Sequence, residues 1–301
     1  MTILAVPEAP SAAEPEPAAR RPVRPRRKLV LHLAVVALMI IWVTPTLGLL
    51  VSSFRPQSVL SKSGWWTAFA PPYHFTLENY QGVLEQSGIG QAFINSLFIA
   101  IPATVIPLFV AAFAAYAFSW MEFWGRDVLF VVVVGLLVVP LQTTLIPVLK
   151  AFADWGLTGQ FLAVWLAHTG YGLPFAVYLL RNFMGSLPRS VFESASLDGA
   201  NHVVSFFRIA VPMSVPAFAA LAIFQFLFVW NDLLVSLIYI GPTDPENLPM
   251  TVRVAGLVSS VGGQTNLLTA AAFLTMILPL IVFLGLQRYF VRGITGGAVK
   301  G

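Results

Sequence analysis

AFINSLFIAIPATVIPLFVAAFAAYAF, residues 92–118, decides the fold class, because no position in it is Asp, Glu, Lys, Arg or His. About 20 apolar residues suffice for a helix to cross the hydrocarbon of a bilayer, and this run exceeds that length. Lipid offers the backbone no hydrogen-bond partner, so a stretch this long is stable there only as a helix that bonds to itself. A membrane β-strand would alternate lipid-facing and lumen-facing residues over about ten positions, and no such alternation is present.

Five more runs lie on either side: Leu29–Val51, Val128–Leu149, Phe161–Leu180, Ala217–Ile240 and Leu267–Leu286. Across all six, Asp232 is the only formally charged residue. Over the whole chain 57% of residues are hydrophobic and 10% charged, against about 25% charged in a soluble domain. The expected fold is all-α: a polytopic membrane protein with six transmembrane helices.

Cationic flanks are retained on the cytoplasmic side of a membrane, so the Lys and Arg positions orient the spans. The cluster Arg20, Arg21, Arg24, Arg26, Arg27 and Lys28 places the N-terminus inside, and six crossings return the C-terminus to the same side. Arg126, Arg181, Arg189, Arg208, Arg288, Arg292 and Lys300 then also fall inside, leaving Arg55, Lys62, Lys150 and Arg253 outside. The excess of basic over acidic residues is thus a matter of topology. It does not interleave with aromatics as a nucleic-acid surface would, and no nucleic-acid partner is expected. Cysteine is absent, which excludes disulfides and thiolate chemistry. The histidines His32, His74, His168 and His202 are scattered, so no metal site is indicated.

Residues 1–28 are rich in Ala, Pro and Glu and cannot bury enough surface to offset their ordering entropy, so they read as a disordered cytoplasmic tail. Residues 29–291 form the six-helix domain and residues 292–301 a cytoplasmic C-terminal tail. Pro45, Pro102, Pro107, Pro140, Pro147, Pro174 and Pro279 interrupt the spans, where proline kinks helices. Gln142, Gln225, Asn231 and Asp232 are the candidates for lining a substrate pathway, with pairing to a donor on a neighbouring helix the equal alternative for Asp232. Interhelical hydrogen bonding is the commoner role for such residues.

The inside loop 186–213 carries a distinct signal. Pro188 suits a helix start and Gly199 a left-handed helix stop, and a second short helix over 202–211 is expected to end before Pro212. Val191, Phe192, Ala195 and Gly199 fall on one side at helical spacing. Glu193, Ser194 and Ala195, then Gly199 after three residues, Ile209 after nine more, and Pro212 resemble the EAA loop of binding-protein-dependent ABC importer permeases. Ser194 and Val211 stand where that family usually has alanine and leucine. Further stretches, Phe75–Tyr80, Asn95–Ser96, Leu173–Phe175, Arg181–Phe183, Asp198–Ala200, Trp230–Asp232 and 296–301, are similar to the maltose-type second permease subunit of the sugar branch.

The resemblance implies a bacterial inner-membrane permease with four kinds of contact: a homologous second permease, an ATPase dimer, an extracytoplasmic sugar-binding protein and the lipid bilayer. It assigns ATPase coupling to Glu193, Ser194, Ala195, Asp198, Gly199, Ala200, Ile209 and Pro212. It implies a C-terminal contact with the ATPases through Gly296, Gly297 and Lys300, and an external loop, Gly262, Gly263 and Gln264, that enters the binding protein. No Walker sequence occurs, so ATP and magnesium are expected on the partner ATPase and no cofactor on this chain. No catalytic motif is found either, so the chain is not expected to be an enzyme. A secondary transporter or channel subunit is the other reading of six helices with buried polar groups; it leaves the inside loop unexplained.

Overall fold

The structure, a computed structural model, describes residues 25–86, 88–241, 245–260 and 264–295. The chain divides into two compact units, residues 1–47 and 48–301. In the first, α1 (Pro25–Ser53) starts inside the stretch read as tail and runs on through the unit boundary. Its side chains from Leu29 to Val43 are all exposed and, apart from His32, apolar, as on a lipid-facing helix.

In the second unit, α2 (Glu78–Gln86) precedes α3 (Ile89–Trp120), the long helix built from the quoted run. Then come α4 (Arg126–Gly135), α5 (Leu141–Asp154), α6 (Phe161–Met184), α7 (Arg189–Leu197), α8 (His202–Ser205) and α9 (Val211–Met213). The last four are α10 (Val215–Trp230), α11 (Leu234–Tyr239), α12 (Met250–Ser260) and α13 (Thr265–Thr295). Four helices are long and apolar enough to cross a membrane unaided, and two bent pairs bring the number to six. Regular structure among the described residues is helical throughout.

Two of the expected spans are not single helices. The run Val128–Leu149 bends by 101° between α4 and α5. Val139 is extended (φ −72°, ψ 117°), as a residue preceding proline must tend to be, and Pro140 then opens α5 without an amide hydrogen to give. The run Ala217–Ile240 breaks after Trp230, where Asp232 turns its carboxylate onto the first free amides of α11. Short polar side chains bond nearby backbone in this way and so compete with helix continuation.

The inside loop also differs from expectation at its end. The chain continues helically through Pro212 to Met213, passing through a π-helical turn, Phe206–Ala210, before a 71° bend into α10. That wide turn lies just upstream of Pro212, whose ring would crowd an ordinary α-turn.

Small residues bring the central helices together. Ala100, Ala103, Ala111 and Ala115 of α3 are buried with Ala163, Ala167 and Ala176 of α6 in two clusters. In lipid there is no hydrophobic drive between helices, so close backbone approach through alanine supplies the packing. One cluster gathers Val229, Trp230 and Tyr239; the other gathers Met184, Phe206 and Leu221, and thereby ties the inside loop to the bundle. Arg55, read as an outside cation, is buried, donating to Gly64 O (2.7 Å) and Thr67 Oγ1 (3.0 Å).

Candidate coupling site

Helix α7 starts at Arg189, with Pro188 extended before it and not inside its first turn. It ends in a complete left-handed closure. Gly199 has φ +83°, its amide donates to Ser196 O (3.0 Å), and the Ala200 amide donates to Ala195 O (2.9 Å). This pair of bonds satisfies carbonyls that a helix end otherwise leaves open, and glycine alone enters that conformation without a Cβ penalty. Asn201 then caps α8, its Oδ1 accepting from the Val204 amide at 2.9 Å.

One face of this loop is seated on the chain itself. Phe192 stacks on Trp120 at the end of α3, with centroids 3.7 Å apart and planes at 20°. Trp120 in turn donates Nε1–H to Met184 O (3.1 Å), so the stacking partner is held by α6. Phe206 stacks on Phe113 and meets Tyr116 edge-on. The opposite face is open. Glu193, Ser194, Asp198 and Gly199 are exposed, and a Cβ built on Gly199 would meet no atom within 4 Å. The structure therefore separates residues that sequence spacing grouped: Phe192 and Ala195 lie partly covered toward the bundle, whereas Gly199 faces outward.

Leu197 is 90% exposed at the end of α7. The spacing of Glu193, Ala195 and Gly199 assigns it no role. An amphipathic turn that left a leucine on the outer, polar face was the available signal. Ile209 is partly covered and Pro212 exposed, behind the turn rather than on the α7 surface.

The polar residues of the spans sit in different surroundings. Gln142 is exposed at the start of α5. Gln225 is buried and donates its amide to Ala103 O (3.1 Å) and His168 O (3.4 Å), cross-linking α10 to α3 and α6 against Gly172. Asn231 is exposed and donates to Leu227 O (2.8 Å). Asp232 accepts from the Val235 and Ser236 amides and lies 3.6 Å from Nε2 of the fully buried His168, while its carbonyl accepts from Thr251 Oγ1 (2.6 Å). The cost of an acid at this depth is offset by these contacts. No group of three potential metal ligands occurs among the described residues. Gln264 is exposed ahead of α13, whereas Gly262, Gly263, Gly296, Gly297 and Lys300 lie outside the described residues.

With the inside loop and the helices that carry it in view, comparison with known proteins is decisive. The family described as the binding-protein-dependent transport system inner membrane component matches residues 92–296. The chain belongs to that family. This inner-membrane component is 56% identical over 277 residues to the osmoprotective compounds uptake permease protein GgtD of Synechocystis sp., covering 91% of this chain and 93% of the relative. To the alpha-glucoside transport system permease protein AglG of Rhizobium meliloti it is 41% identical, covering 90% of this chain and 96% of that one. Its fold is shared with a crystal structure of a bacterial ABC transporter that imports the acidic polysaccharide alginate, with a TM-score of 0.74, 19% identity and coverage of 89% and 98%. The family is one of transport permeases, and the family match covers the loop and α10–α13 together.

Proposed function

We propose that this permease is one subunit of an ATP-driven importer of sugars or small glycosides, paired with a homologous permease and driven by a separate ATPase dimer. The observation that carries the reading is the free-standing α7, seated on one face through Phe192 and open on the other at Leu197 and Gly199. An exposed leucine beside bare glycine backbone on a capped helix leaves room for a partner's backbone to approach closely. In this reading Glu193, Ser194, Ala195, Asp198, Gly199 and Ala200, backed by Ile209 and Pro212, receive the ATPase. ATP and magnesium stay on that partner, and no cofactor sits on this chain.

A sugar or glycoside is the substrate class favoured by relatives named for alpha-glucosides and osmoprotective compounds. Its passage would run past Gln142, Gln225, Asn231 and Asp232, with Gln225 acting as a wall fixed to two carbonyls. Residues 262–264 would enter the extracytoplasmic binding protein, and Gly296, Gly297 and Lys300 would touch the ATPases. Reconstituted with its partners in liposomes, the permease should accumulate a labelled alpha-glucoside only when ATP is inside. Uptake driven by an ion gradient without ATP would overturn the reading. Deleting residues 260–264 should remove most stimulation of ATP hydrolysis by the loaded binding protein, and deleting 294–301 should lower copurification of the ATPase. Unchanged values in both would strip those segments of these roles.

Domain limits of 1–28, 29–291 and 292–301 go with both termini in the cytoplasm. Reporter fusions after residue 20 and residue 301 should score as cytoplasmic, and fusions at Lys62 and Thr251 as external. An external C-terminus would end the six-span arrangement.

A further inference from the structure

Beside the coupling helix lies a cleft of about 330 Å³ that the transport reading does not use. It is formed by the end of α3, the start of α4, the end of α6 and the start of α7. Its lining includes Arg126, Arg181, Arg189, Asn182 and Ser186, and no carboxylate. Three guanidinium groups from three different helices thus converge on one space. Such planar donor forks match the oxygens of a phosphate.

These cations are incompletely answered within the chain. Arg181 Nε is buried without a hydrogen-bond partner, Nη1 reaches only Asn182 Oδ1 at 3.5 Å, and Cζ sits 4.6 Å above the Phe130 ring of α4. Among the described residues neither Arg181 nor Arg189 is in an ion pair. Arg126 is paired with Asp127 at 3.0 Å, and Asp127 is largely exposed. Glu122 and Glu193 line the adjoining cavity that also contains Arg126 and Arg189, yet among the described residues neither closes a salt bridge. A buried guanidinium N–H left open costs free energy, and a bound acceptor removes that cost.

What occupies the cleft is indicated by its surroundings. Trp124, 97% exposed, stands two residues before Arg126, and α4 beyond it presents Val128, Leu129, Val131 and Val132 outward. A tryptophan leading into a lipid-facing apolar helix marks the membrane–water boundary, where headgroups lie. Basic pockets between helices at that level take anionic lipid headgroups. We propose that the cleft between Arg126, Arg181 and Arg189 binds the phosphate of an anionic phospholipid. The bound headgroup bridges α4, α6 and α7 and so fastens the seat of the coupling helix to the bilayer. This site is independent of which solute is carried.

The test uses the full chain in neutral detergent, titrated with phosphatidylglycerol, phosphatidylcholine or inorganic phosphate, with bound species read by native mass spectrometry. Phosphatidylglycerol should be retained well above phosphatidylcholine. Replacing both Arg181→Gln and Arg189→Gln should weaken it about thirtyfold, the loss of two cations near an anionic headgroup, with phosphatidylcholine unchanged. Wild-type affinity in the double variant would overturn the proposal. Full competition by inorganic phosphate would also overturn it, as a free-anion site, and so would displacement of the lipid by the ATPase, as a protein contact. Should the glutamine pair misfold, Arg181→Lys with Arg189→Lys carries the question. That pair should still hold the lipid and release it as salt rises, and salt-independent binding would count against the site.

Discussion

Gly199→Asp is expected to lower ATP-dependent uptake by tenfold or more while leaving the isolated permease folded and inserted. Two effects add. At φ +83° an L-residue is strained, by roughly 1–2 kcal/mol relative to glycine, which a six-span bundle can absorb. In the free chain nothing lies within 4 Å of the new Cβ, so no internal clash follows. The larger effect arises only on docking, where the carboxylate must lose its water against a closely approaching partner, at a cost of several kcal/mol. Gly199→Asn separates the two, since asparagine tolerates the left-handed region and adds no charge; it should retain a substantial part of the uptake. Copurification of normal amounts of ATPase with Gly199→Asp, together with parental uptake, would remove α7 from the coupling surface.

Asp232→Ala should be the most destabilising single change in the spans. Its carboxylate satisfies two amides at the start of α11 and lies 3.6 Å from Nε2 of His168, which is fully buried with neither ring nitrogen hydrogen-bonded. Alanine leaves the two amides unanswered, at about 1–3 kcal/mol per buried polar group, and takes the carboxylate away from His168. Asp232→Asn keeps an acceptor oxygen and an equally good capping residue, so it should cost about 1 kcal/mol or less. Thermal unfolding in detergent would order the variants, with alanine clearly below asparagine. Equal midpoints would mean that the break after Trp230 needs no cap.

The run from Ala92 to Phe118 carries its fold in composition alone, because lipid permits one backbone solution. Val128–Leu149 looks equally continuous, yet Pro140 and its extended neighbour Val139 turn it by 101°. The proline was evident, whereas the size of the bend depends on what the two halves pack against. At Ala217–Ile240 the single acid was noted as a pathway residue, but whether it caps a helix or faces a cavity is set by the backbone, which hydropathy does not encode. In the coupling loop, spacing located Glu193, Ala195 and Gly199 correctly within a helix and its stop. It could not tell which face the bundle claims, because that is decided by Trp120, more than 70 positions earlier in the chain, stacking on Phe192. Leu197 went unremarked for the same reason.

The way α7 closes on itself has a mechanical consequence. With the Gly199 and Ala200 amides already committed to Ser196 and Ala195, that end of the helix presents a partner with a leucine and bare glycine surface instead of open amides. Directional bonds hold one angle; apolar contact keeps its strength as two bodies roll across each other. The end of α7 therefore suits a ball joint, able to pivot through a stroke without letting go.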